Sequence, residues 1–200
     1  MKSSATLLTK KIVLNAISEN VWDFGNSVLY DLCKKHPRHI EDPVIIAKIW
    51  LIGRSYATAI ERRKNKNKFQ GDDFYVKNVA PRIKRSKIDE WVKPLILTIH
   101  KKVTILFFEI SGLEKRSLAS KYLHFHFPSQ YFIYDSRAVQ GLSVISKNIG
   151  KPKSLRCNTD QADKEYRKLC GRCIYLRNYI KEKYGYYLNT RQIDKILLKL

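Results

Sequence analysis

Acidic residues are scarce in this sequence. Its 200 residues hold 18 Asp and Glu against 39 Lys and Arg, a formal net charge of +21. Solubility does not require that asymmetry. Its usual cause is a polyanionic partner, nucleic acid first and an anionic membrane surface second. Glycine and proline are also few, eight and six respectively, which argues against a loop-rich or low-complexity chain. The four cysteines (Cys33, Cys157, Cys170 and Cys173) are too sparse and uneven for a disulfide scaffold and read as reduced thiols. Long apolar runs are missing too. The longest, 44–52, is interrupted by Lys48, well short of the roughly 20 residues that a membrane span needs. The first apolar stretch, 12–14, is too short for a secretory leader. A soluble, cytoplasmic protein with no membrane partner is the expectation.

What is present is a hydrophobic fraction of 44%, ordinary for a globular chain. Strand signals are scarce and helical periodicity recurs, so the sequence predicts one all-α domain over 1–200. Amphipathic helices are expected at about 19–35, with Trp22 on an apolar face, and at about 42–60, opened by Asp42 and Pro43. A looser basic region runs to about residue 87, where Ser86 could cap a short helix through Trp91. Helices at about 95–110 and 115–124 flank the turn Ser111-Gly112-Leu113-Glu114, giving a tight helical hairpin within about 98–126. A loop at 127–136 carries the extended piece Phe132-Ile133-Tyr134, and Asp135 or Ser136 opens a helix to about 146. A basic linker at 147–159 precedes a long helix at about 160–183 and a final one from Thr190.

Cys170 and Cys173 have the spacing of zinc ligands, with Cys157 upstream. Within a helix, however, the pair shares the apolar face of Tyr166, Leu169, Leu176 and Ile180, which favours buried free thiols. No metal and no cofactor are expected. Basic stretches at 62–68, 82–87, 151–156 and 164–183 are more informative. Tyr75, Tyr166, Tyr175, Tyr179, Tyr184, Tyr186 and Tyr187 are interspersed among them. Lysine and arginine neutralise phosphates with release of counterions, and aromatic rings stack on unpaired bases.

The segment 107–142 is the sharpest local feature. Arg116-Ser117-Leu118-Ala119-Ser120, followed by Phe132-Ile133-Tyr134-Asp135-Ser136-Arg137, resembles the active-site core of the helix-hairpin-helix DNA glycosylases. Those enzymes carry a glycine-containing hairpin, a Lys or Ser opening its second helix, an Ala two residues later and a catalytic Asp about eighteen residues beyond. Here Ala119 follows Ser117 by two residues and Asp135 follows it by eighteen. The wider stretch from Ser120-Lys121-Tyr122-Leu123-His124-Phe125 to Tyr134-Asp135 is similar to bacterial proteins with an 8-oxoguanine glycosylase fold. The match departs at the hairpin, where Leu113 and Lys115 occupy the family's glycine positions and Gly112 comes one residue early.

The resemblance implies a DNA glycosylase that flips and excises a damaged or modified base, an 8-oxoguanine-type purine, from duplex DNA. Asp135 is the implied catalytic carboxylate. Ser117 in place of the family's Schiff-base lysine implies base excision without strand cleavage. Lys121, one turn further along the same helix face, is an alternative amine nucleophile or a phosphate contact. Gly112, Lys115, Arg116 and Arg137 are the expected DNA contacts. The chemistry is consistent: losing a base develops positive charge on the sugar, which a fixed carboxylate stabilises. A flipped base also needs a pocket, for which Trp22, Phe24, Asn26, Arg54, Tyr56, His124 and Tyr134 are candidates. The rival reading is a non-catalytic nucleic-acid-binding module on the same scaffold, with Asp135 a simple helix cap. A role in phage defence is encoded in no single residue.

Overall fold

A computed structural model describes residues 8–64, 70–90, 96–150 and 161–199. All regular structure among them is helical, as the periodicity predicts. The order is α1 (Lys10–Ile17), α2 (Val21–Lys35), α3 (Asp42–Ser55), α4 (Gly71–Phe74), a π-helical turn (Tyr75–Val79) and α5 (Ala80–Arg85). A 3-10 turn (Ile88–Glu90) precedes α6 (Ile96–Ser111), α7 (Arg116–His126), α8 (Ser136–Ile149), α9 (Lys164–Tyr184) and α10 (Thr190–Leu197). No helix of the described residues is long and apolar enough to cross a membrane.

Local chemistry sets the boundaries. At α2 the Asn20 side chain accepts the Trp22 N–H at 3.0 Å, and Asp23 Oδ2 accepts the Asn20 N–H at 2.8 Å. This reciprocal pair satisfies donors that a helix start leaves open. Asn189 and Gln192 repeat the device at α10. Glu41, rather than Asp42, occupies the cap position of α3, and Pro43 falls within its first turn. α3 stops at Ser55, earlier than the apolar pattern implies, because Ala57 takes a left-handed φ of 52°. The stretch 71–85 is helical rather than loose, and Ser86 closes α5 instead of opening a helix. The expected cap-to-Trp91 helix beyond Glu90 and the linker at 151–159 lie outside the described residues.

α7 is the axis of the molecule. Every residue from Leu118 to Phe125 is buried, because α6 returns beside it and α2 and α3 pack on other sides. α9 lays Tyr166 on His100 with parallel rings 3.5 Å apart, and the Tyr166 hydroxyl donates to the Phe132 carbonyl at 2.9 Å. Thus α9 braces both α6 and the loop that follows α7. Cys170 and Cys173 are buried on the inner face of α9 as free thiols; burial pushes Cys170 up to about 12. α10 packs on α8 with very little clearance. A Cβ on Gly141 would sit 2.4 Å from the Leu197 carbonyl oxygen, so the two backbones approach only because that residue lacks a side chain.

Candidate active site

The hairpin turn sets the start of α7. Gly112 has φ +70° and donates its N–H to the Phe108 carbonyl at 2.7 Å. Lys64 N–H reaches the Ser111 carbonyl at 3.0 Å, and Lys115 Nζ donates to the Ala59 carbonyl at 2.9 Å. The turn is therefore tied to the chain that follows α3.

Four residues apart on one face of α7, Ser117 and Lys121 meet: Lys121 Nζ lies 2.7 Å from Ser117 Oγ. The chain then leaves the helix and returns. Ser120 holds the returning strand-like segment, accepting the Tyr134 N–H at 2.8 Å and donating to the Ser117 carbonyl at 2.9 Å. That staple delivers the next residue, Asp135, to Lys121, whose Nζ donates to Asp135 Oδ2 at 3.0 Å. The other carboxylate oxygen caps α8, accepting the Arg137 N–H at 3.0 Å. The lysine side chain is 0% exposed and the aspartate's 28%, so the aspartate is the member of the pair that solvent or a ligand reaches.

Electrostatics keep Asp135 ionised. Burial raises its pKa, but the Lys121 charge and hydrogen bond, with the Arg137 N–H, outweigh burial and hold it below the usual carboxylate value. Asp194 on α10 goes the other way. It is buried, and burial, aided by the Asp135 charge, raises it to about 6 against the lowering effect of Arg191 and Lys121. Its Oδ2 takes Arg191 at 2.5 Å, while Oδ1 is buried without a partner. The two carboxyls are thus pushed in opposite directions.

The wall beside Lys121 is aromatic and polar. Lys121 Nζ is 5.4 Å from the centre of the Tyr56 ring, and the Tyr56 hydroxyl donates to Asn26 Oδ1 at 2.6 Å. Asn26 Nδ2 is buried and unpartnered. His124, neutral because burial lowers it to about 4, donates from Nδ1 to the Tyr131 carbonyl at 2.8 Å. Its Nε2 therefore accepts the Tyr30 hydroxyl at 2.6 Å. A cleft of about 450 Å³, lined by Asp23, Tyr30, Arg191 and Lys195 among others, opens between α2 and α10.

The structure thus brings Ser117, Lys121 and Asp135 into contact, with Asn26 and Tyr56 linked to them through the lysine. Other sequence candidates go elsewhere. Trp22 is 75% exposed rather than on a core face, and Phe24 is also exposed. Arg54 projects outward, 60% exposed, and pairs with Glu61 at 2.6 Å. Arg116 is held by Asp163 at 2.8 and 2.9 Å and by Glu114 at 2.7 Å, with Tyr134 packed 5.3 Å from its guanidinium. Lys115 and Arg116 are thus occupied within the chain, whereas Arg137 is exposed with one bond to the Leu198 carbonyl. Asp194 was missed by the sequence reading, although an acid among Ile193, Ile196 and Leu197 on a short amphipathic helix was a visible signal. No protein-family model, curated protein or solved structure matches this chain.

Proposed function

We propose that the protein is a DNA N-glycosylase that releases a modified base by hydrolysis. The observation that carries this reading is the contact of Lys121 Nζ with both Ser117 Oγ and Asp135 Oδ2. Three residues named for one reaction converge at hydrogen-bond distance, although Asp135 lies fourteen positions after Lys121 in the chain.

In this reading the ionised Asp135 faces the anomeric carbon of a flipped nucleotide. As the bond to the base breaks, positive charge grows on the sugar, and the nearby carboxylate stabilises it. The same carboxylate orients the water that completes the hydrolysis. Lys121 fixes the carboxylate from behind, and Asp194 with Arg191 supplies polar groups for the departing base. The Lys121 amine, buried and engaged by two acceptors, serves as a positioning group rather than as the nucleophile. The bulk charge of +21 supplies the attraction to duplex DNA.

One observation favours a non-catalytic nucleic-acid module: both Asp135 oxygens already have partners, the cap of α8 and Lys121. A base-release assay separates the two. Duplex oligonucleotides carrying a panel of oxidised, alkylated and deaminated bases are incubated with the protein, then split into arms with and without alkali. Release followed by alkali-dependent cleavage supports hydrolysis. Cleavage without alkali makes Lys121 a nucleophile, and salt-sensitive binding with no release on any substrate supports the module.

A further inference from the structure

Most buried or half-buried cations described above have a carboxylate partner: Lys121 has Asp135, Arg116 has Asp163, Lys195 has Asp23 and Arg191 has Asp194. Arg177 on α9 is different. Its guanidinium carbon packs 5.6 Å from the centre of the Phe132 ring and 5.2 Å from that of Tyr187. Its Nε is buried without a hydrogen-bond partner, and no carboxylate pairs with it among the described residues. One turn further along α9, Lys181 is exposed, has Nζ 5.9 Å from the same Tyr187 ring, and likewise has no acidic partner among the described residues. Two cations are thus organised around one ring with no carboxylate among the described residues to neutralise them.

The ring itself is open. Of the tyrosines interspersed with the basic stretches, Tyr75 and Tyr166 belong to the core. The Tyr175 and Tyr184 hydroxyls are tied to the carbonyls of Ile149 and Leu8. Tyr187 is 65% exposed. An exposed aromatic face beside two unpaired cations matches a nucleotide with an unpaired base: the ring offers stacking and the cations meet the flanking phosphates. A base inside a duplex is already stacked and gains little from such a ring. Phe132, which supports Arg177, lies three residues before Asp135 in the chain.

We propose that Tyr187, Arg177 and Lys181 form a platform for single-stranded DNA, with one unpaired base on Tyr187 and its neighbouring phosphates on the two cations. The proposal rests on the nucleic-acid part of the reading above, not on its chemistry. The test is fluorescence anisotropy of the full chain with a short labelled oligothymidylate and with an undamaged duplex of equal length, across a salt series. Tyr187→Ala should weaken single-strand binding by about tenfold and leave duplex binding within twofold, while Tyr187→Trp should bind the single strand like wild type. Arg177→Gln and Lys181→Gln should each reduce the salt slope for the single strand by about 0.7. Because Tyr187 and Lys181 are exposed, their variants are expected to fold, and circular dichroism melts check this.

Equal losses on single strand and duplex, no loss in Tyr187→Ala, or failure of Tyr187→Trp to bind would overturn the platform. The base-release assay runs independently. Absence of release with Tyr187-dependent strand binding removes the glycosylase reading and leaves the platform. Release with Tyr187-independent binding does the reverse.

Discussion

Lys121 and Asp135 are joined by a 3.0 Å hydrogen bond between a fully buried amine and a half-buried carboxylate. The second oxygen of that carboxylate caps α8, so one side chain links the axial helix of the fold to the next helix and leaves one edge open. The proposed function and the folding role therefore meet at the same residue, and variants must be read for both.

Ser120 is the residue that makes this meeting possible. Ser120→Ala removes the acceptor of the Tyr134 N–H and loosens the loop carrying Asp135. A stability loss of about 1 kcal/mol is expected, with base release reduced about tenfold or more through misplacement alone. Thermal melts and single-turnover base release measure the two effects separately. A variant as active as wild type would show that the loop holds Asp135 without this staple.

Gly141→Ala probes the seam between α8 and α10. The added Cβ would meet the Leu197 carbonyl oxygen at 2.4 Å, and backbone cannot yield as a flexible side chain does. A destabilisation of about 2 kcal/mol or more is expected, read by urea unfolding. An unchanged midpoint would mean that α10 packs further from α8 than described.

Asp194 gives a pH signature. Its carboxyl, raised to about 6 by burial, is protonated in acid and charged at neutral pH. As a proton donor to the departing base it would make single-turnover release fall as pH rises through about 6. Asp194→Asn has no proton to transfer, so release should be slow and independent of pH across this range, without the wild-type gain in acid. A wild-type profile flat across this range would remove Asp194 from the chemistry.

Stability should fall in acid because three buried imidazoles resist protonation. Burial lowers His100 and His126 to about 3 and His124 to about 4, against an ordinary 6.5. Their folded pKa values are depressed, so their contribution is fully present above 6.5 and is lost as pH falls toward the folded values. Asp194 has the opposite sign, losing its contribution as pH rises from 3.8 through about 6. One carboxyl acts against three imidazoles. The melting temperature should therefore level off above about pH 7 and drop between 6.5 and 4; a melting temperature constant over that interval would contradict the burial of these rings.

The helices were legible in the sequence where an apolar period or a cap marked them. The helices expected at 95–110 and 115–124 form as α6 and α7, and Asp135 caps α8 as its position before Ser136 implies. α1 escaped notice because it has only 8 residues, too few for periodicity to stand out. Residues 71–85 escaped because Gly71, two aspartates and a proline look like a turn, although buried Phe74, Val79, Ala80 and Ile83 make an inner face.

The candidate site was readable only in part. Residues within α7 and at the cap of α8 have fixed local spacing, so Ser117, Lys121 and Asp135 could be grouped before their contact was known. Trp22 and Arg54 depended on which way α2 and α3 are rotated, a tertiary choice that residue type alone does not reveal. Trp22 looked like core and faces solvent, whereas Asn26, on the same helix, is buried against Tyr56. Asp194 required knowing that α10 packs against α8, α1 and α9.

The most direct test of the central claim compares wild type with Asp135→Asn on a duplex carrying a releasable base, measuring single-turnover release and duplex affinity on the same preparations. Asparagine keeps an oxygen for the α8 cap but removes the charge and the acceptor of Lys121, so thermal melts of both proteins accompany the comparison. Release should fall by about a hundred- to a thousandfold, in line with removing a principal charge-stabilising group, while affinity stays within about threefold. Equal release by both proteins, or release and affinity lost together in step, would contradict a catalytic carboxylate at Asp135.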